Sequence, residues 1–586
     1  MQLRKPSVTP IEQASACSDG AFRALELRND VQMMHDQQLR STSTFDYVVV
    51  GTGAAGSIVA ARLSEDPGIT ICALEAGPRD RHPHIHIPAG FIKIMFNEAY
   101  TWQFKTEPSP NVNGRSVIIP VGRTVGGSSS INGMIINRGQ ADDFNNWAQR
   151  GNVGWGYADL LPYFKRFERR IGEGNNLYRG RDGNIPVTDL DWQHEICEAF
   201  IDGAAGLGIP RNPDYNGASQ PGVGYLQRCI HKGLRRSAGR MYLLPAQKKS
   251  GRIDIRTHAR AFKIVFEGKK AVAVRYVDER SRTIHEVKAR KEVIVSGGSI
   301  NSPRLLQVSG VGNGSLLKSL GVEVIHDLPA VGENLRDHCA VRIVARAKNS
   351  KTINEITRGP ALVGQVLRWL MGKPSVVGVS PSLCYCFWKS DPNISGADLQ
   401  VMFSPASYKD GFVGMLDNYP GMTCGVWQHR PESIGYVRAK SADIFVDPAI
   451  QPNYLSHEVD QRALVGGIKL ARQLLRTPQL SRFVDRETFP GDGVHTDNEV
   501  LHWARQYAGT VWHLIGTCRM GPATDKSSVV SHELGVHGLQ NLRVIDASVM
   551  PSMPSANTYS ATMVIAEKGS DLIRGKAAPP PVALPA

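Results

Sequence analysis

Two polar residues near the end of the chain carry side chains suited to proton transfer at a polar substrate atom. They are His513 and Asn557. An imidazole, whose ordinary pKa is about 6.5, can be neutral near neutral pH and accept a proton, while a neutral amide can donate a hydrogen bond to the atom that loses it. A histidine beside a tryptophan, as His513 is beside Trp512, is commonly a packed core residue. The pair therefore indicates a catalytic site only if the rest of the chain supports one.

A strand, a glycine-rich turn and a helix follow one another near the start of the chain, in the order typical of a dinucleotide site. The apolar segment Phe45–Val50 predicts a buried parallel strand, and a helix is predicted from Ser57 to Glu65. Gly51 permits the tight turn, Gly53 lets a pyrophosphate approach the backbone, and Gly56 lets the helix pack on the strand. The turn residues predicted at the cofactor are Gly51, Gly53, Ala54, Ala55 and Gly56.

Three further segments extend this motif. The strand Ile69–Leu74 ends in Glu75-Ala76, about twenty residues beyond the turn, where an acidic side chain accepts hydrogen bonds from an adenosine ribose. The glycine-rich segments Gly122–Gly133 and Gly298–Gly312 can offer N–H donors to a phosphate or a flavin edge. The first motif alone is compatible with a structural turn, and it fits NAD as well as FAD.

Taken together, these segments resemble the glucose-methanol-choline family of FAD-dependent oxidoreductases, from about residue 45 to residue 573. The segment Gly298–Gly312 matches the second signature of the family at each specified position, and Gly122–Asn145 matches the first except at Ile136. The residues that the resemblance places at the FAD are Gly51, Gly53, Ala54, Ala55, Gly56, Glu75, Ala76, Arg123, Gly126, Gly127, Ser128, Asn132, Gly133, Ala261, Gly298, Asp546, Ala547, Asn557 and Thr558.

Three further positions depart from the family pattern. Ile131 stands where some members carry a histidine bonded covalently to the flavin, so the resemblance implies a non-covalent FAD. Ala261 stands where the family usually has a valine that touches adenine through its backbone. Tyr559 replaces a common asparagine, and it is compatible with a substrate contact or with a packed aromatic ring.

The resemblance implies oxidation of a primary alcohol to an aldehyde, with His513 as the base and Asn557 holding the alcohol oxygen. The alcohol carbon loses hydride to FAD as the base removes the hydroxyl proton. We expect a dehydrogenase in preference to an oxidase, and both a quinone-like carrier and oxygen stay open as the electron acceptor. The alternatives are a lyase or fatty-acid photodecarboxylase of the same fold, and a non-catalytic flavoprotein. Choline-like, aromatic and aliphatic alcohols all stay open as substrates.

Length and motif order predict an α/β chain with two interleaved domains, because its 586 residues exceed the usual limit for one core. We expect a Rossmann-like FAD-binding domain from residues 45–164, 224–337 and 505–575. Residues 165–223 and 338–504 would form a substrate-binding domain with an antiparallel sheet backed by helices. An N-terminal extension, residues 1–44, and a proline-rich disordered tail, residues 576–586, complete the chain. The aromatic residues considered for the pocket wall are Phe387, Trp388, Trp427 and Tyr436.

Composition excludes some classes of protein. The formal net charge of +14 does not predict nucleic-acid binding, because the basic residues are scattered. It is compatible with peripheral contact with an acidic membrane surface. The nine cysteines form neither a disulfide framework nor a zinc pattern, which favours a reducing, cytoplasmic location. Residues 1–44 lack the long apolar run of a signal peptide or membrane helix, so no transmembrane segment is expected there.

Overall fold

The computed structural model describes residues 39–411 and 415–585, and two large β-sheets organise this part of the chain. The first sheet is mixed: five of its strands run parallel, and two antiparallel strands extend it. In spatial order its strands are Ile253–Thr257, Ile71–Glu75, Thr42–Val50, Thr283–Val295, Lys270–Asp278 and Ala259–Glu267, and Leu542–Val544 pairs beside Thr283–Val295.

The parallel half of this sheet forms because its strands are buried on both faces. Val48 and Val49 are fully buried, as are Cys72 and Ala73 on the neighbouring strand, which is the pattern of a strand covered by helices. The carboxyl ends of these strands lie side by side at one edge of the sheet, where ligands bind in such folds. The predicted strand and turn therefore occupy the expected edge.

The helix after the turn begins three residues earlier than predicted. It spans Ala54–Leu63, because Gly53 already serves as its N-cap. The last helix of the chain, Tyr559–Arg574, packs against it. The two are joined by an ion pair between Arg62 and the fully buried Glu567. This packing brings the end of the chain next to the dinucleotide turn.

The second sheet is antiparallel throughout. One face packs on the helices Glu195–Gly206 and Glu458–Leu475, and together they bury a second hydrophobic core. In spatial order its strands are Val484–Phe489, Cys339–Ala347, Gly421–Gln428, Leu399–Ser404, Cys384–Trp388 and Gly222–Tyr225, and Gly509–Thr510 pairs beside Cys339–Ala347.

The fold class is confirmed: a nucleotide-binding sheet is combined with an antiparallel sheet backed by helices. The α-helices of seven or more residues are Ala54–Leu63, Ala141–Gln149, Tyr157–Phe167, Glu195–Gly206, Leu244–Ser250, Gly298–Val308, Gly359–Leu370, Glu458–Leu475, Asp497–Tyr507 and Tyr559–Arg574.

Residues 165–187 lie with the first core, although the predicted boundaries place them in the substrate-binding domain. Phe167 and Ile185 are buried in that core. The strand Glu168–Ile171 pairs in parallel with Ile185–Thr188, and the buried Glu168 is held by Arg138 and Arg179. Because an unpaired buried charge is costly, this ion network fixes the segment to the first core. The domain boundaries otherwise stay a prediction.

Most of the predicted N-terminal extension lies outside the described residues, and Thr42–Thr44 already belong to the first strand. Residues 576–585 have no regular secondary structure, and the N–H of Val582 donates to the carbonyl oxygen of Ala158 at 3.1 Å. Within the described ranges, no helix combines the length and apolar character needed to cross a bilayer.

Candidate active site

The turn after the first strand requires glycine at two positions. Gly51 has a φ of +97°, and a Cβ there would lie 2.4 Å from the carbonyl oxygen of Ser296. A Cβ on Gly56 would lie 1.9 Å from the carbonyl oxygen of Gly51. Side chains cannot occupy such positions, so these glycines let the helix start directly at the end of the strand.

The amino end of that helix is open to an anion. Gly53, the N-cap, offers no side chain to the free N–H groups, and the first turn of Ala54–Leu63 holds no acidic residue. The first N–H groups of a helix have no partner within the helix and carry partial positive charge. The diphosphate of a dinucleotide therefore fits this position.

Glu75 is buried beside the turn, at the carboxyl end of the neighbouring strand. Its carboxylate accepts hydrogen bonds from the N–H of Thr52 at 3.1 Å, from the hydroxyl of Thr52 at 2.7 Å and from the N–H of Gly77 at 3.0 Å. Burial raises the pKa of Glu75, while these hydrogen bonds lower it. Two of the bonds use Oε2, so Oε1 keeps a lone pair for a ribose hydroxyl.

The second glycine-rich loop packs directly on the first. Gly126 and Gly127 have φ values of +90° and +51°, and a Cβ on Gly127 would lie 2.6 Å from the Cα of Gly53. The two loops thus border one cavity, which Ile131 also lines. The hydrocarbon side chain of Ile131 has no atom that could form a covalent bond to a flavin.

Most of the residues predicted for the cofactor line this single cavity. Gly56 and Gly126 do not line it, but both lie in the glycine-rich loops, where a Cβ would collide with neighbouring atoms. Arg123 does not line it either, because it pairs with Glu279 and stacks over Trp102 at 4.7 Å from the ring centroid. The predicted residues that line the cavity are Gly51, Gly53, Ala54, Ala55, Glu75, Ala76, Gly127, Ser128, Asn132, Gly133, Ala261, Gly298, Asp546, Ala547, Asn557 and Thr558, together with His513.

Asp546 holds the third glycine-rich segment in place. Its Oδ2 accepts hydrogen bonds from the N–H of Gly298 at 2.8 Å and from the hydroxyl of Ser302 at 2.6 Å. Its Oδ1 accepts one from the N–H of Ser548 at 2.8 Å. Burial raises the pKa of Asp546, and these bonds lower it. The carboxylate thus positions the start of the helix Gly298–Val308 at the cavity wall.

His513 faces the same cavity from a strained turn. Trp512, directly before it, has a φ of +64°, which is rare for a bulky side chain. The N–H of His513 donates to the buried Asp337 at 2.8 Å. The same carboxylate also accepts hydrogen bonds from the hydroxyl of Thr510 at 2.5 Å and from the hydroxyl of Tyr454 at 2.6 Å. These bonds stabilise the turn and fix the backbone of His513.

A second buried histidine determines which nitrogen of His513 carries the proton. Nε2 of His338 lies 2.7 Å from the carbonyl oxygen of His429, so this nitrogen is a donor. Nδ1 of His338 lies 2.9 Å from Nδ1 of His513. In a neutral His338 that Nδ1 holds a lone pair and accepts the proton of His513 Nδ1. Nε2 of His513 is therefore unprotonated.

Burial keeps both rings neutral. It lowers the pKa of His338 to about 4. Burial and the neighbouring His338 together lower the pKa of His513 well below its ordinary value. A group with a lowered pKa of this kind stays uncharged at neutral pH. Nε2 of His513 can therefore accept a proton already at neutral pH.

Asn557 faces this free nitrogen. Its Nδ2 lies 3.2 Å from Nε2 of His513, and its Oδ1 accepts a hydrogen bond from Nε2 of Gln400 at 3.3 Å. Because Gln400 occupies the amide oxygen, the amide N–H is directed at the histidine. A hydroxyl group bound here would meet a proton acceptor and a hydrogen-bond donor side by side.

Sequence reasoning missed the residues that orient this pair. Asp337, His338 and Gln400 reach His513 or Asn557 only when the second sheet has folded against the first, and no motif or spacing marks them. Sequence reasoning also missed Arg342, which lines the cavity from the second sheet.

Of the four aromatic residues considered for the pocket wall, one reaches it. Trp427 lines the cavity, and its ring centroid lies 6.3 Å from that of His513. Phe387, Trp388 and Tyr436 do not line it. Tyr559 lines the cavity as well, although it is buried.

The open helix end, Glu75 and the crossing of the glycine loops define a dinucleotide-binding site. The chain belongs to the GMC oxidoreductase family, since its two family models match residues 45–340 and residues 431–566. The predicted family and cofactor are confirmed.

Relatives and a solved structure agree with this placement. The chain is 38% identical over 534 residues to an alcohol dehydrogenase (acceptor) of Pseudomonas putida, covering 90% of this chain and 95% of that protein. It is 38% identical over 540 residues to an oxygen-dependent choline dehydrogenase of Staphylococcus xylosus, covering 91% of this chain and 95% of that protein. The structure of a formate oxidase variant of Aspergillus oryzae RIB40, studied for its FAD modification, superimposes with a TM-score of 0.84 at 25% identity, covering 91% of this chain and 98% of that one.

We predict that removing the acceptor nitrogen of His338 slows flavin reduction while FAD stays bound. In His338→Leu, Nδ1 of His513 has no acceptor, so the proton can occupy Nε2 and block the base. General-base catalysis is worth about a hundredfold or more, and we expect a loss of at least about tenfold. In His338→Asn the side-chain oxygen can replace Nδ1 and restore part of the rate. Anaerobic stopped-flow bleaching with benzyl alcohol measures this, and equal rates in all three proteins would contradict the tautomer assignment.

Proposed function

We propose that this protein oxidises a primary alcohol to the aldehyde, with His513 as the base and Asn557 as the residue that holds the alcohol oxygen. The observation that carries the proposal is the hydrogen-bond chain from the carbonyl oxygen of His429 through His338 to His513. It leaves one unprotonated nitrogen facing an amide donor in a cavity lined by the cofactor residues.

The geometry supports a defined sequence of proton and oxygen contacts. The alcohol hydroxyl takes the place of the direct contact between Asn557 and His513, donates to Nε2 of His513 and accepts from Nδ2 of Asn557. As the proton moves to Nε2, the amide stabilises the developing charge on the oxygen. Nδ1 of His513 keeps its hydrogen bond to His338, so the ring does not rotate. Bound FAD supplies the acceptor for the hydride that leaves the alcohol carbon.

The FAD-binding half supports non-covalent binding. The N–H groups at the start of Ala54–Leu63 would hold the diphosphate, Glu75 would hold the ribose, and the loop that contains Gly127 would lie along the cofactor. Three cavity residues outside the predicted set, Trp102, Arg260 and Arg304, line the same space. Burial lowers the pKa of Arg260 to about 10, so it is still cationic at neutral pH and can offset phosphate charge.

The acceptor and the compartment are also part of the proposal. We favour a quinone-like acceptor and therefore a dehydrogenase, which agrees with the name of the Pseudomonas putida relative, while the Staphylococcus xylosus relative is named as oxygen-dependent. The eight cysteines of the described residues are free thiols, which supports a reducing, cytoplasmic compartment.

We predict that His513→Ala retains FAD but loses flavin reduction by alcohol, by about a hundredfold to ten-thousandfold, the usual worth of a general base. The matched control is His502→Ala, which removes an exposed histidine. The rate constant for anaerobic bleaching and the flavin content are measured for both variants. A His513→Ala protein that is reduced as fast as the control would remove His513 from the mechanism.

Contact with a membrane surface is the second part of the proposal, and one helix supports it. Gly359–Leu370 has no buried residue. Trp369 anchors it by donating to the carbonyl oxygen of Gly233 at 2.8 Å. The helix exposes an apolar stripe, from 37% of the residue surface for Leu362 to 67% for Leu370. The stripe consists of Leu362, Val363, Val366, Leu367 and Leu370.

The basic residues near this stripe and its position in the fold favour an anionic lipid bilayer as its binding partner. Residues 356–390 include Arg358, Arg368, Lys373 and Lys389 and contain no acidic residue. An amphipathic helix with basic flanks lies in the plane of an anionic membrane surface. The turn Val376–Gly378 after the helix contacts residues 88–90. The chain then continues into Phe91, which lines the cavity. A lipid-soluble acceptor would thus meet the protein close to the cavity.

We predict that the protein floats with vesicles of phosphatidylcholine and phosphatidylglycerol, and that Leu367→Asn with Leu370→Asn abolishes this. The matched control is Val153→Asn, because Val153 is at least as exposed as the two leucines and lies outside the stripe. Flotation and oxidation of a water-soluble alcohol with a dye acceptor are measured together. Absence of flotation, or a monomer–dimer equilibrium that the double variant removes, would contradict the membrane assignment.

A further inference from the structure

One wall of the cavity is a face of the second sheet. Along its strands, side chains alternate between the second core and the cavity. On the strand Cys339–Ala347, Val341, Ile343 and Ala345 point into the second core, and Arg342 points to the cavity. The next two strands of the sheet, Gly421–Gln428 and Leu399–Ser404, alternate in the same way. Their cavity-facing residues are Met402, Ser404, Thr423, Gly425 and Trp427. A single cationic side chain therefore stands on a wall of apolar and hydroxyl residues.

The neighbouring strand, Gly421–Gln428, leaves space for the side chain of Arg342. Arg342 pairs in register with Gly425. A Cβ on Gly425 would lie 3.9 Å from Cζ3 of Trp427 and 4.0 Å from Cγ of Arg342. The glycine thus keeps a gap between the tryptophan ring and the arginine stem, and the guanidinium can reach the space above the sheet.

The guanidinium of Arg342 has no hydrogen bond or ion pair with the side chains and backbone that the structure describes. Burial lowers its pKa to about 10, so it is cationic at neutral pH. Arg342 is only half-buried, whereas the fully buried arginines have partners in the protein. Arg138 pairs with Glu168, Arg179 with Asp214, and Arg304 donates to the carbonyl oxygens of residues 444 and 446. A buried charge without a partner is costly, and Arg342 is therefore suited to a partner that a ligand supplies.

No described acidic side chain on this wall can supply that charge. The carboxylates that line the cavity are Glu75 and Asp546. Both already accept hydrogen bonds from backbone groups of the cofactor loops. The hydroxyls of Ser404 and Thr423 donate to backbone carbonyl oxygens at 2.7 Å, so they offer acceptor capacity only. The substrate side of the cavity is thus positively charged.

We propose that Arg342 binds a carboxylate of the substrate, so that the substrate is a primary alcohol that also carries a carboxylate. This inference rests on the proposed alcohol oxidation and specifies its substrate class. A guanidinium matches a carboxylate with two parallel hydrogen bonds. The same charge repels a quaternary ammonium, so choline is a poor substrate although several relatives are named for it.

The strand register gives the scale of the separation between His513 and Arg342. Trp427, which contacts His513, pairs with Ala340, and Arg342 lies two residues further along. Two residues of a strand span about 7 Å. A rigid benzyl alcohol with a para carboxylate, 4-(hydroxymethyl)benzoate, has a comparable separation between its hydroxyl and its carboxylate, and it is the probe that we choose.

The test compares kcat/KM for 4-(hydroxymethyl)benzoate, benzyl alcohol and choline in the FAD-loaded protein. We expect the carboxylated alcohol to exceed benzyl alcohol by at least about tenfold, which corresponds to one charge-assisted hydrogen bond, and choline to be the poorest. In Arg342→Met the ratio falls to about one, mainly through KM, and Arg342→Lys restores part of it. The matched control is Arg346→Met, which removes an arginine from the same strand and face outside the cavity.

Binding of 4-methylbenzoate, which has no hydroxyl group to oxidise, provides a second measurement through the change in the flavin spectrum. Weaker binding in Arg342→Met than in Arg346→Met supports the inference. Equal use of the acid and benzyl alcohol by the unmodified protein, or a preference for choline, would overturn it while leaving alcohol oxidation intact. Failure of all three alcohols to bleach the flavin would instead contradict the proposed function itself.

Discussion

The hydrogen bond between Nδ1 of His338 and Nδ1 of His513, 2.9 Å long, is the interaction on which the chemistry of this site depends. It determines that the free lone pair of His513 lies on the nitrogen that faces Asn557. The second sheet supplies the bond, because His338 precedes one strand and His429 follows its antiparallel neighbour. Sheet pairing thus holds the carbonyl oxygen and the ring together, and burial keeps the whole chain of hydrogen bonds uncharged.

The two halves of the cavity work by different physical means. The cofactor half uses backbone: glycines that no side chain can replace, an uncapped helix end, and carboxylates that hold loops in place. The substrate half uses side chains that project from an antiparallel sheet. Since His513, the proposed base, follows a strained turn stabilised by Asp337, its position depends on both halves being packed together.

Most of the predicted cofactor residues line one cavity, and they could be predicted together because their determinants are local. Gly51, Glu75 and the strand between them follow rules of spacing that hold within a short segment. The family resemblance led to the prediction that His513 and Asn557 act together, and the structure brings the two side chains to 3.2 Å. The supports of this pair could not be found, because His338 and Gln400 are far from His513 and Asn557 along the chain and meet them only through strand pairing. Arg123 is the opposite case: its position in the loop is local, but a pairing with Glu279 turns it away from the cavity.

The most direct test of this account is the pH dependence of flavin reduction by benzyl alcohol in anaerobic stopped-flow mixing. A base whose pKa is held well below its ordinary value is already unprotonated, so we predict bleaching with a rate constant that does not change between about pH 6.5 and about pH 9. A rate constant that rises tenfold per pH unit within that range would show that the base is still protonated there. That result, or the absence of bleaching, would contradict the assignment of His513 as a neutral, preoriented base.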